Sequence, residues 1–497
     1  MHSQAIDELH FILFPLMAQG HMIPMVDIAK LLAQHNIFVT IVTTPLNSAR
    51  FTSVLARAID SGLRIQVVEL RFPVEKAGLP KGCENFDKLP SLELSVNFFR
   101  AASELEQPVD ELFGRLTPKP SCIISDMTLP WTINIAKRWK IPRISFNGFS
   151  CFCMLCMNNV SVSGILETIA SETEYFVVPD LPDRIEITKE QLLKPFVNME
   201  DYHEQIIAAE QESYGLIINT FEELEKAYVR QYKKAKGDKR VWCIGPVSLC
   251  NKDRLDKAER GNKASINENE CLKWLDTWQS GSVIYACLGS LNNLSPAHMI
   301  ELGLGLEASD RPFVWVIRGD DKSREVEKWI EESGFEQRIK ERGLIIHGWA
   351  PQVLILSHSA VGGFLTHCGW NSTLEAISAG LPMVTWPLFA DQFLNEKLVV
   401  QVLKIGVSAG VEAPEKWREE EQLGVSVKRE TITRAVDELM REGEESKERR
   451  RKAKQLGKLA NRATEEDGSS SINVKLLIQD IVHHKNHEQI GDIDILI

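Results

Sequence analysis

Short, almost uninterrupted runs of Val, Ile, Leu and Phe alternate along this chain with segments of helical spacing, and the alternation occurs twice. One set of runs lies at 11–16 (FILFPL), 38–43, 64–70, 122–126, 143–147 and 215–220. A second lies at 282–288, 312–317, 343–349, 361–367 and 382–387. A strand apolar on both faces must be covered on both faces, which calls for a parallel sheet between layers of helices. With 497 residues the chain exceeds what one core holds, since domains split beyond about 250–300 residues. The expectation is α/β with two doubly wound domains: 1–247, then a polar linker at 248–270, then 271–470. Residues 471–497 are expected to form a helix and tail that pack back on the first domain, with an amphipathic stretch at 472–482. Ligands of such sheets bind at the carboxyl ends of the strands, so the cleft between the domains is the expected site.

Charge and cysteine usage narrow the function. A formal net charge of −12 argues against nucleic acid or an anionic membrane as partner. The basic run ERRRKAK at 448–454 reads as a solvated helix face. Most of the 10 cysteines sit inside apolar runs, as reduced core residues do, and Cys153 and Cys156 have no second pair to complete a metal site. No basic n-region precedes the first apolar run and no apolar stretch approaches the ~20 residues of a membrane span, so a cytoplasmic protein is expected.

Four places carry candidate chemistry. In MAQGHMIP (17–24) the first strand leads to His21, with Pro24 suited to a first helical turn. A helix N-terminus there disfavours the imidazolium and keeps a neutral base; the plainer alternative is a loop histidine capping the helix. Asp126 closes the strand CIISD on the same rim, either as an ordinary N-cap or as the carboxylate that orients His21. In THCGWNSTLEA (366–376) a strand, a glycine turn at Gly369 and a helix opening with Asn371 and Ser372 make an anion site, with His367 before the turn and Trp370 exposed within it. Ser372 to Glu375 also fits a capping box, so Glu375 has a purely local alternative. Finally CLGSLNN (287–293) sets Ser290 in a small-residue loop after another strand. The chain has no GxGxxG after either first strand, no GxxxxGK[ST], no HExxH and no GxSxG. Those absences weigh against dehydrogenase, P-loop, zinc-protease and α/β-hydrolase chemistry.

The block WAPQVLILSHSAVGGFLTHCGWNSTLEAISAGLPMVTWPLFADQ (349–392) resembles the signature of the plant secondary-product UDP-dependent glycosyltransferases, family 1, which have the GT-B fold. The likeness extends through FPLMAQGHMIP, GLIINTFEELE, KWLD and GLGLEAS. It implies roles position by position. Trp349 stacks on uracil and the Ala350 backbone reads its edge; Gln352 and Glu375 take the ribose hydroxyls. His367, Gly369, Asn371, Ser372 and Ser290 hold the diphosphate, and Trp370, Asp391 and Gln392 face the sugar. His21 is implied as general base with Asp126 as its partner, in an inverting displacement that uses no metal or other cofactor. Gln392 and Trp370 are the residues of glucose users, which implies UDP-glucose as donor.

The segments 71–91 and 176–192 resemble the branch acting on triterpenoid, steroid and flavonoid aglycones, with a triterpenoid favoured and a monomer expected. The chain departs from many relatives at Leu288, where Phe precedes Gly-Ser, and at Asn147, where His precedes Gly148. The competing reading is a catalytically silent sugar-nucleotide-binding protein, against which both His21 and Asp126 count.

Overall fold

The computed structural model describes residues 8–193, 199–290, 294–319, 323–414 and 425–494. The first sheet contains β1 (His10–Phe14), β2 (Phe38–Thr43), β3 (Ile65–Glu69), β4 (Cys122–Asp126) and β5 (Arg143–Asn147). A two-stranded antiparallel pair, β6 (Phe176–Val177) and β7 (Glu186–Ile187), stands apart, and β8 (Gly215–Ile218) and β9 (Arg240–Cys243) complete the sheet. Its order is β3-β2-β1-β4-β5-β8-β9, parallel throughout. The second sheet is built of β10 (Val283–Cys287), β11 (Phe313–Ile317), β12 (Gly343–His347), β13 (Val361–Thr366), β14 (Met383–Thr385) and β15 (Gly406–Ser408). It is also parallel, in the order β12-β11-β10-β13-β14-β15.

The strand order of each sheet reverses at one point, between β1 and β4 in the first and between β10 and β13 in the second. Phe14 lies opposite Ser125 in the first sheet and Cys287 opposite Thr366 in the second. Asp126 therefore follows directly at one switch point and His367 at the other, where the loops part and a ligand can enter.

Four helices matter for the site: α1 (Gln19–Gln34), α2 (Cys151–Ser163), α3 (Trp370–Ala379) and α4 (Gln392–Lys397). The domains do not merely face each other. Phe152 and Leu155 of α2 and Ile218 of β8 are buried in one apolar cluster with Trp370 and Leu374 of α3 and Leu394 of α4. Burying each such side chain contributes about 1.5–3 kcal/mol, so this shared core fixes the walls of the cleft. The last helix, α5 (Ser469–Asp494), buries Val474, Leu477, Ile478, Ile481 and Val482 in the core of the first domain. Their spacing is one helical stripe. All the cysteines are free thiols, and burial pushes Cys153 and Cys156 well above the usual thiol range. Among the described residues no cluster of His, Cys, Asp and Glu could hold a metal, and no helix is long and apolar enough to cross a membrane.

Candidate active site and donor cleft

His21 is the third residue of α1, so the helix begins well before Pro24, which lies inside it. That placement has a use. Proline lacks an N–H, so the carbonyl four residues earlier loses its helical partner. The freed carbonyl is Gly20 O, and it accepts instead from Asn371 Nδ2 of the second domain at 2.5 Å.

His21 Nδ1–H donates to Asp126 Oδ2 at 2.7 Å, while Asp126 Oδ1 accepts from Thr128 N at 3.0 Å and Thr128 Oγ1 at 2.6 Å. Asp126 is fully buried, whereas the His21 side chain keeps 29% of its surface, enough for a hydroxyl to reach it. Burial pulls the imidazole pKa down, but the charge and hydrogen bond of Asp126, with a further pull from Asp391, raise it above its ordinary value. The adjacent carboxylate thus shifts the imidazole in the opposite direction to that expected of the helix end alone. Burial pushes Asp126 up, and its bonds with His21 and Thr128 more than offset this, so it stays below the usual carboxylate range and ionised. With Nδ1–H directed at Asp126, Nε2 keeps a lone pair free to accept a hydrogen bond.

Across the cleft, α3 starts at Trp370 with Gly369 as its N-cap and no side-chain cap. Ser372 is therefore inside the helix, and the capping-box alternative for Glu375 does not hold. The first-turn N–H groups form an open positive end. The chain enters it through Cys368 in the left-handed region (φ 64°). The His367 ring is packed between two glycines: a Cβ at Gly289 would lie 2.5 Å from it, and one at Gly369 would meet Nε2 at close range. Burial lowers His367 to about 4, so it is a neutral ring at pH 7, and its Nδ1 is buried with no partner among the described residues. Ser290 lies in the turn after β10, and residues 291–293 of the same loop are outside the described residues.

Further along α3, Glu375 Oε2 accepts from Gln352 Nε2 at 2.8 Å, and the same amide donates to Ser372 Oγ at 3.0 Å. The Ala350 carbonyl accepts from Gln352 N at 2.8 Å. Trp349 lies beside this group, its N–H bonded to Ser265 Oγ at 2.9 Å. Asp391 Oδ2 accepts from Asn395 Nδ2 at 2.6 Å, and burial raises its pKa to about 6. Gln392 Oε1 accepts from Leu388 N and Phe389 N, leaving its amide nitrogen for a ligand.

Trp370 differs from the sequence expectation. Its ring is buried, with Nε1–H donating to Asn219 O at 2.7 Å, so it braces the domain interface, and only its backbone belongs to the helix end. Sequence reasoning also missed Thr128, Asn219, Asn395 and Arg260. Only Asn395 had a local signal, one helical turn from Asp391.

Two doubly wound, parallel-sheet domains packed on each other, with a histidine–carboxylate pair on one rim and an open helix end on the other, have the architecture of the GT-B class. The family described as UDP-glucoronosyl and UDP-glucosyl transferase matches over residues 263–416, and the glycosyltransferase N-terminal domain over 7–249. UDP-glycosyltransferase 73C12 of Barbarea vulgaris is 58% identical over 478 residues, 95% of this chain and 96% of that one. UDP-glycosyltransferase 73C6 of Arabidopsis thaliana is 57% identical, with the same coverage. The crystal structure of Glycyrrhiza uralensis UGT73P12 complexed with glycyrrhetinic acid 3-O-monoglucuronide superposes with a TM-score of 0.90 at 37% identity, covering 98% of each chain. The chain belongs to the plant family 1 UDP-glycosyltransferases and is a sugar-transferring enzyme.

Proposed function

We propose that the enzyme transfers glucose from UDP-glucose to a hydroxyl of an apolar acceptor, a triterpenoid or its glycoside, with inversion at the anomeric carbon. The observation that carries this reading is the His21–Asp126 pair facing the uncapped start of α3. The acceptor O–H gives its proton to His21 Nε2 as its oxygen bonds to the anomeric carbon. The bond from that carbon to the UDP oxygen breaks, and its electron pair leaves with UDP. Asp126 stabilises the imidazolium; the α3 N–H groups, Ser372, Asn371, Ser290 and neutral His367 receive the diphosphate. Trp349 and Ala350 take uracil, Gln352 and Glu375 the ribose. Asp391, the Gln392 amide and the Trp370 backbone meet the sugar.

For the acceptor, support comes from the placement of its two segments. Phe86 N donates to Met17 O at 2.7 Å, setting the 71–91 segment against the loop before His21. In the 176–192 segment Gln191 Nε2 donates to Glu412 O at 2.6 Å, tying it to the second domain. The similar Glycyrrhiza structure holds a triterpenoid glycoside. The protein is proposed to act as a monomer in the cytoplasm without a metal.

Mass spectrometry of incubations with UDP-glucose, UDP-galactose and UDP-glucuronate against triterpenoids, steroids and flavonoids tests the reading. One added hexose on a triterpenoid from UDP-glucose is expected. Transfer only from UDP-glucuronate, or only to flavonoids, would overturn the donor or the acceptor assignment respectively.

The two-glycine seat of His367 gives a second test. Gly369 has φ −58°, so alanine fits its backbone and only the new Cβ disturbs the ring. Gly369→Ala should weaken UDP binding about tenfold, the loss of one hydrogen bond to a charged group. An unchanged Kd by calorimetry would remove His367 from the donor site.

A further inference from the structure

The segment between the domains is not a free tether. The Arg260 side chain is 8% exposed, and its guanidinium bridges the domains: Nη2 donates to Asp27 Oδ2 of α1 at 2.6 Å, and Nη1 forms an ion pair with Glu375 Oε1 of α3. Its carbonyl accepts from Trp349 Nε1 at 3.1 Å, and Ser265 N donates to Trp349 O at 2.8 Å. Gly261 lies against the Trp349 ring, where a Cβ would come within 2.6 Å of Cζ2. One short stretch therefore touches both the tryptophan and the carboxylate of the nucleoside end. Next to it, Gln19 Nε2 donates to Asn262 Oδ1 at 2.7 Å, two residues before His21 in the sequence.

From this geometry we infer that Arg260 is a positioning residue of the nucleoside subsite: it fixes the Glu375 carboxylate so that the ribose hydroxyls are read. The inference rests on the donor assignment above. Glu375 has two oxygens, and Arg260 holds one while Gln352 holds the other. A carboxylate oxygen accepts more than one hydrogen bond, so both keep a lone pair for a hydroxyl. Fixing both oxygens selects one rotamer of Glu375, and the guanidinium is itself anchored by its second prong on Asp27. Without Arg260, Glu375 Oε1 would lose its ion-pair partner and only the Gln352 bond to Oε2 would hold the carboxylate. Glu375 would then lose its orientation.

The test is a ratio. Kd values for UDP and 2′-deoxy-UDP are measured by calorimetry on the wild-type chain and on Arg260→Met. Wild type is expected to prefer UDP by roughly tenfold or more, one hydroxyl bonded to a charged group. In Arg260→Met that preference should fall to within about twofold. General loosening of the structure weakens both ligands alike and leaves the ratio in place, so the ratio isolates positioning. Arg260→Lys keeps the charge but not the two-pronged reach, and its ratio should fall at least by half. It supplies the reading if the Met variant does not fold. A wild-type ratio near one would overturn the assignment of Glu375 to the ribose. A large ratio that survives in both variants would overturn the role of Arg260 alone.

Discussion

His21→Ala should slow sugar transfer by about 10²–10⁴-fold, the usual cost of losing a positioned general base, while UDP binds as before. The separation follows from the architecture. His21 belongs to α1 of the first domain and bonds Asp126, whereas the groups proposed to hold the nucleotide lie on the second sheet's rim and α3. Single-turnover rates and UDP titration on the same variant read the two halves independently. Transfer near the wild-type rate would show that another group takes the acceptor's proton. Loss of UDP binding would show that the domains cannot be treated separately.

Asp126→Asn is expected to have the second largest effect, and its signature lies in the pH profile. In the native protein burial lowers the His21 pKa, and the charge and hydrogen bond of Asp126 raise it by more. Since the base acts unprotonated, kcat/KM should rise with pH through that raised value. Asparagine removes both effects of Asp126 and leaves burial against the weaker pull of Asp391, so the acidic limb moves to lower pH. The plateau falls as well, because an asparagine Nδ2–H facing His21 Nδ1 forces the proton to Nε2, the position that must accept. Thr128 can still bond the Oδ1 of asparagine, so the turn is preserved. A loss of about 10²-fold or more is expected. An acidic limb that stayed in place, or moved to higher pH, would contradict the pairing.

Much of this was legible in the sequence because it is written locally. A strand buried on both faces announces itself as an apolar run, and a residue at its carboxyl end is on the rim once the sheet is parallel. That logic located His21, Asp126, Ser290 and His367. It missed the edge strands β9 and β15, and the paired β6 and β7, whose two-residue strands leave no periodic trace. The bonds that cross the domains were illegible for a different reason. Arg260 with Asp27 and Glu375, Trp370 with Asn219, and Asn371 with Gly20 each join residues more than a hundred positions apart. No spacing rule reaches that far. The raised pKa of His21 was not legible because the helix end is visible in sequence, while the distance to Asp126 is a tertiary fact.

The central claim is a single displacement in which the acceptor oxygen, deprotonated by His21, attacks opposite the departing UDP. Proton NMR of the product formed from UDP-α-glucose tests it most directly, since the anomeric coupling reports the configuration. The arrangement of His21 facing the start of α3 predicts the β-glucoside from the first turnover onward. An α-linked product would contradict it, because retention requires a different sequence of bond changes from the one this cleft is proposed to support.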